Sequence, residues 1–216
     1  MDIFEYWQAE NYEYATEYVH SNDISVLHDL SYMLDSSLDF SFPPGPFFGP
    51  LKTAKVILCY GNPGIDDPSV SAITSPASHE ILINQLSGES EYPHILSGWR
   101  QWFSQKANSL FDGNIELAGK NVAIFNLIPY ASKNMDHISK IANCLPSVWA
   151  AQDHLRKILI PKAKAGKILL VMCRSSNLWG LKSSHNCRNI LINDSRTGFN
   201  SEIKGNIKNW LRSELI

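Results

Sequence analysis

Four apolar runs of strand length, at 54–60, 121–128, 167–173 and 188–193, constrain this chain more than any other feature. Helical stretches are predicted between them, near 78–86, 95–111, 146–160 and 175–181, with a last helix near 200–213. Strands that alternate with helices are joined by crossovers, and crossovers put helices on the faces of a parallel sheet. Near-continuous apolar strands suit a sheet buried on both faces. The expected fold is therefore α/β: a three-layer α/β/α arrangement with a central four-stranded parallel sheet, plus N-terminal helices. At 216 residues, 44% apolar and 19% charged, the chain is long enough to bury such a core in one domain.

Residues 1–40 have a different character. They hold nine acids, Asp2, Glu5, Glu10, Glu13, Glu17, Asp23, Asp29, Asp35 and Asp39, and no Lys or Arg. Amphipathic helices are predicted over roughly 3–20 and 23–36, the second capped by Asn22 or Asp23 and presenting Ile24, Leu27, Leu30, Met33 and Leu34 on one face. Ser41-Phe42-Pro43-Pro44-Gly45-Pro46 then breaks the chain as an extended linker. The expected division is an acidic helical extension over 1–40, packed on an α/β domain over 41–216. All 19 Lys and Arg lie beyond residue 40, against 12 of the 21 acids, and residues 151–216 alone hold 12 cations and four acids. That separation is either a basic face that meets phosphates or a set of ordinary solvated helix faces.

No apolar run nears the ~20 residues of a membrane span, and Met1-Asp2-Ile3-Phe4-Glu5 lacks the basic region of a signal peptide, so a cytoplasmic protein with no membrane partner is expected. Cys59, Cys144, Cys173 and Cys187 form no C-x-x-C pair and signal neither a disulfide framework nor a metal site. Three of them lie in or beside apolar runs and read as core residues.

Polar residues gather where the four runs end. In a parallel sheet those carboxyl ends share one edge, where open α/β folds bind ligands. The first run ends in Tyr60-Gly61-Asn62-Pro63-Gly64 and the second in Phe125-Asn126. The third ends in Cys173-Arg174-Ser175 and the fourth in Asn193-Asp194-Ser195-Arg196. Singly, each has a plain structural explanation: Asn-Pro-Gly makes a good turn, Asn126 can cap a strand end, and Asn193-Asp194-Ser195 can cap the final helix. Together they favour a site. Other enzyme classes lack their signatures, since no G-x-S-x-G, Walker loop or G-x-G-x-x-G exists. A phosphatase loop on Cys59 would need Arg where Ile65 stands, and the H-x-E and P-C-x-x-C pair of a zinc deaminase is absent.

The order of these motifs resembles that of the uracil-DNA glycosylase superfamily, in which a Gly-Ile-Asn-Pro-Gly type of motif follows strand one, an asparagine ends strand two, and an Asn-Pro-Ser type of motif follows strand four. Pro46-Phe47-Phe48-Gly49-Pro50-Leu51-Lys52 also looks like the lead-in of divergent members, so the resemblance covers about residues 46–213. It implies a monofunctional DNA glycosylase that flips a pyrimidine out of DNA and hydrolyses its N-glycosidic bond, working as a monomer with no metal and no cofactor. By that resemblance Asn62 positions the water and stabilises the cationic sugar, and Asn193 supports the departing base. Tyr60, Gly61, Pro63, Gly64 and Asn126 contact the base, Asn126 reading a uracil-like or a cytosine-like edge by rotation of its amide. The resemblance also implies that Ser195 grips a DNA phosphate and that Arg196 neutralises a phosphate or fills the gap left by the flipped nucleotide, while Arg174 and Lys182 either extend a DNA-phosphate track or are ordinary surface charges.

Three departures refine this expectation. Gly64 stands where strict uracil enzymes carry a tyrosine that blocks the pyrimidine C5 position, which implies a mismatched, damaged or C5-modified base. A hypermodified cytosine of phage DNA fits, and with it a role in antiviral defence. The stacking phenylalanine past the first motif is missing, leaving Tyr60, Tyr130, Trp99 or Trp102 to substitute, and Asp194 replaces the last-motif proline. These losses keep open an alternative, a catalytically silent relative that binds nucleic acid or a nucleotide-like ligand.

Overall fold

The structure, a computed structural model, describes residues 2–12, 15–31, 38–73, 75–134, 138–195 and 198–215. The chain opens with helices α1 (Ile3–Gln8) and α2 (Ser21–Asp29), then strands β1 (Leu38–Asp39), β2 (Phe47–Phe48) and β3 (Val56–Tyr60). Helices α3 (Asp67–Ala72), α4 (Pro76–Ile83), α5 (Ser97–Leu110) and α6 (Ile115–Asn121) lead to β4 (Val122–Asn126) and β5 (Ala131–Ser132). After α7 (Ile138–Ile141), α8 (Pro146–His154) and α9 (Ile160–Lys164) come β6 (Leu169–Cys173), α10 (Ser176–Trp179), β7 (Ile190–Asn193) and α11 (Ser201–Leu215).

The result is a mixed α/β fold around a central sheet ordered β2-β4-β3-β6-β7. All four apolar runs became strands, pairing in parallel from Val56 opposite Val122 and Leu169 to Cys173 opposite Asn193. The sheet nevertheless has five strands, which corrects the expected four. The fifth, β2, runs antiparallel to β4 with Phe47 opposite Phe125. Two residues are too few to show a strand period, yet they cover the backbone edge of β4 that would otherwise be open. Gly49 ends this strand at φ +91°, where a Cβ would lie 2.6 Å from the Val122 carbonyl oxygen.

Alternate residues of each central strand enter different cores. Val56, Leu58, Val122, Ile124, Leu169 and Val171 pack with Phe103 and Ala107 of α5 and with Ile207 and Leu211 of α11. Ile57, Cys59, Ala123, Phe125, Leu170 and Met172 pack with Trp7, Val148, Leu155 and Trp179 on the other side. Cys59 and Cys173 are buried, Cys187 is half-buried and Cys144 is exposed.

The N-terminal helices are shorter than their sequence pattern suggests. A capping box between Asp2 and Glu5 starts α1, which then lasts six residues. Four of them, Ile3, Phe4, Tyr6 and Trp7, are buried, so tertiary packing sustains a helix too short to stand alone. Helix α2 starts at Ser21 with His20 as its cap, Nδ1 accepting from the Asn22 amide at 3.1 Å. The expected cap Asp23 is instead fully buried, its carboxylate accepting from the Tyr130 hydroxyl at 2.6 Å and the Ser147 amide at 3.0 Å. Residues 32–36 of the second expected helix lie outside the described residues.

The segment expected to be a linker is interior. Phe42–Pro46 is buried, the Gly45 amide donates to the Pro129 carbonyl at 2.8 Å, and the Pro46 carbonyl accepts from the Asn126 amide at 2.8 Å. Its three prolines carry no N–H, so an extended strap can be buried here with few donors left to satisfy.

Candidate nucleotide-binding site

A cleft of about 270 Å³ opens where β3 and β4 end. Tyr60, Asn62, Pro63 and Gly64 of the first motif line it, together with Asn126 at the end of β4 and Arg174 just past β6. Gly61 belongs to the same turn, its carbonyl accepting from the Ile128 amide at 2.9 Å. The turn is pinned to β5, since the Ser132 amide donates to the Pro63 carbonyl and the Ile65 amide donates to the Ser132 carbonyl, each at 3.1 Å.

That pinning orients Asn62. Its Nδ2 donates to Ser132 Oγ at 2.7 Å, to the Pro63 carbonyl at 2.9 Å and to the Tyr130 carbonyl at 3.3 Å. Ser132 Oγ donates onward to the Asn134 carbonyl at 2.8 Å, so it has lone pairs to offer Asn62 and no hydrogen. With the amide nitrogen engaged, Oδ1 is the group Asn62 has left for a ligand. An amide oxygen accepts hydrogen bonds and orients a water or hydroxyl, but it takes no proton at neutral pH.

Asn126 is held by a different part of the fold. It is buried, and its Nδ2 donates to the Gly45 carbonyl at 2.7 Å. The buried strap thus decides which end of the amide is which, leaving Oδ1 as an acceptor. A ligand group that meets it best is an N–H donor.

The aromatic candidates separate cleanly. Tyr60, Trp99 and Trp102 line the cleft, whereas Tyr130 is buried away from it against Asp23. Tyr60 and Trp102 meet edge to face with centroids 5.6 Å apart, as do Phe48 and Trp99 at 6.0 Å. Phe48, quoted above only as part of the lead-in, and Tyr92 also belong to this wall, and neither carries a sequence signal that marks it as a site residue. Burial pushes the Tyr60 phenol well above its ordinary pKa, so it remains a protonated donor.

The acid at the rim is occupied. Asp66 lines the cleft, but its Oδ1 accepts from the Ser69 amide at 2.8 Å and from the Ser69 hydroxyl, capping α3. Helix α3 was absent from the sequence reading, although Asp-Asp-Pro-Ser is a helix-start signal.

Among the described residues of the last motif, Asn193, Asp194 and Ser195 do not line the cleft. Asn193 is buried, with Nδ2 donating to the Gly198 carbonyl at 2.9 Å and Oδ1 without a partner among the described residues. It braces its own loop; the cap of α11 is Asn200, whose Oδ1 accepts from the Ile203 amide at 2.8 Å. Ser195 is half-buried and Lys182 exposed, neither of them lining the cleft, and Arg196 lies outside the described residues.

Among the described residues no group of three or more His, Cys, Asp and Glu is placed to hold a metal, and no helix is long and apolar enough to cross a membrane. No protein-family model matches the chain, and neither a curated protein nor a solved structure matches it.

Proposed function

We propose that the protein is a DNA glycosylase of the uracil-DNA glycosylase type, on a three-layer α/β/α frame, that excises a modified pyrimidine. One observation carries this reading: Asn62 and Asn126, from the ends of adjacent parallel strands, line one cleft with the amide nitrogen of each tied to the protein and Oδ1 left as acceptor. An aromatic wall beside two fixed acceptors suits a planar base extruded from a duplex, which is recognised by stacking and by its hydrogen-bonding edge.

Asn126 Oδ1 accepts from an N–H of the base, either the cytosine amine or the uracil N3–H. Asn62 Oδ1 accepts from a water and turns its lone pair toward the sugar C1′. As the C1′–N1 bond breaks, its electron pair leaves with the base, and the negative end of the Asn62 amide dipole stabilises the cationic sugar. Water then bonds to C1′, its proton passes to solvent or to the departing base, and an abasic site remains. No carboxylate takes that proton in this scheme, so the rate depends on placement and charge stabilisation. Gly64 leaves the side of the base open for a substituent. Excision of a hypermodified cytosine would confine damage to an invading phage genome, which is the biological role this reading favours.

The test is to incubate the protein with duplexes and phage DNAs bearing natural and modified pyrimidines and to measure released base and alkali-labile sites. Release is expected for at least one modified pyrimidine, and Asn62→Ala should lower its rate by about 10²–10³-fold, the usual cost of one preorganised polar group. Release undiminished in that variant would overturn the assignment. A second reading, a silent nucleic-acid or nucleotide binder, is favoured by Asn193, which braces its own loop. Binding without release from any substrate would establish it.

A further inference from the structure

Strand β7 is one edge of the central sheet, and among the described residues no strand pairs with its outer side. The Leu170 and Arg174 amides donate to the carbonyls of Asn189 and Asn193, each at 2.9 Å. In a parallel ladder that alternation turns the backbone of Asn189, Leu191 and Asn193 toward β6 and the backbone of Ile190 and Ile192 outward. The Ile190 amide donates to the Cys187 carbonyl at 3.1 Å, which leaves the Ile190 carbonyl and both backbone groups of Ile192 aimed away from the sheet.

The opposite edge is blunted and this one is not. Strand β2 has two residues between Pro46 and Pro50, and the Gly49 amide beside it donates to Gln85 Oε1 at 2.7 Å. Short length and flanking prolines keep an edge from pairing with another chain. In contrast, Ile190-Leu191-Ile192 carries no charge and no proline, and its register on β6 is unbroken. A groove of about 950 Å³ runs beside it, lined by Ile192 and by Ile203 and the half-buried Trp210 of α11. Charge selects the occupant. Exposed Arg188 precedes β7 and exposed Asp194 follows it, and among the described residues neither is ion-paired within its own chain. Asp194 Oδ1 accepts from the Ser176 hydroxyl at 3.4 Å. Antiparallel contact with a second β7 sets the basic start of each strand beside the acidic end of the other, whereas parallel contact would set like charges together.

We infer that β7 is a self-association edge, through which two copies of this chain pair antiparallel about a two-fold axis normal to the sheet and form one continuous sheet. The Ile192 N–H of each copy donates to the Ile190 carbonyl of the other, Arg188 of each stands beside the partner's Asp194, and the two grooves adjoin. Strand β6 separates β7 from β3, so the cleft of each copy stays open. This departs from the monomer that the resemblance implies, and it does not rest on the glycosylase reading.

The test is sedimentation velocity on the full chain from about 1 μM to 1 mM, with amide hydrogen exchange measured at both ends of that range. A monomer–dimer equilibrium is expected, and the Ile192 amide should exchange roughly tenfold or more slowly in the dimer. Ile192→Pro removes an N–H that the β6–β7 ladder does not use, and it should abolish the dimer. Arg188→Glu, at an exposed position, should weaken the dimer roughly tenfold, because two attractions become two repulsions, and adding Asp194→Arg should restore it. The charge variants decide the matter if Ile192→Pro prevents folding. A chain that stays monomeric throughout that range would overturn the inference and leave the edge to a strand of another protein. A dimer that is indifferent to Arg188→Glu, or in which the Ile192 amide gains no protection, would also overturn it by placing the interface elsewhere.

Discussion

At Gly64, on the rim of the cleft, an added Cβ would meet no atom within 4 Å, and the backbone there is free of positive φ. A large side chain is therefore accommodated by the fold while it narrows the cleft where the proposed base would sit. Gly64→Tyr is expected to keep the thermal midpoint of the protein and to lower excision or binding of bulky C5-modified pyrimidines by about 10- to 200-fold relative to unmodified ones, a typical range for pocket discrimination. Competition between modified and plain substrates checks this, and an unchanged preference would show that the base does not pass Gly64. The identity of Asn62 and Asn126 as candidates was legible because each ends an apolar run. Which end of each amide faces a ligand was not, because Ser132, Tyr130 and Gly45 decide it from elsewhere in the chain.

Among the elements, the contact of α5 with α3 shapes the cleft through a glycine. A Cβ on Gly98 would lie 2.7 Å from the Cα and N of Ser69 and 2.9 Å from the Pro68 carbonyl carbon, all backbone atoms that cannot swing aside. Gly98→Ala should cost about 1–3 kcal/mol in urea denaturation, as overpacking does, and should weaken ligand binding because Gly98 and Ser69 both line the cleft. A variant as stable as the parent would mean the two helices separate freely. The long central elements were legible from their periodicity, since four apolar runs gave four parallel strands and 95–111 gave α5. The predicted helix over 146–160 proves interrupted: α8 passes through a π turn at Leu155–Leu159 into α9, where Pro161 has no N–H to donate to the preceding turn. Neither strand β2 nor the burial of the extended Phe42–Pro46 segment was legible, because their order comes from partners on and beside β4 and carries no period of its own.

Across the whole molecule, the acidic N-terminal segment is tied into the core. His154 of α8 meets Phe4 of α1 and Phe125 of β4 edge to face, with centroids 5.6 Å and 5.8 Å away. Burial, the largest influence, pulls its pKa from 6.5 down to about 4. Between those values the unfolded chain binds a proton that the folded one refuses, so this contribution is complete above pH 6.5 and is lost as pH falls toward 4. Denaturant unfolding at pH 7 and pH 4.5 should differ by roughly 2–3 kcal/mol from this group alone, and His154→Leu should flatten that difference. An equal pH dependence in the variant would place the acid sensitivity elsewhere. By itself the sequence determined that four parallel strands form within an α/β fold and that their carboxyl ends collect Asn62, Asn126 and Arg174, because hydrophobic period and turn chemistry are local properties of a chain. Only the tertiary structure decided that Asn193 braces its own loop, that Asp23 is a buried anchor for Tyr130, and that the Lys106 ammonium lies over the Trp102 ring. Burial and hydrogen-bond pairing depend on residues distant in the chain, and no local pattern encodes those partners.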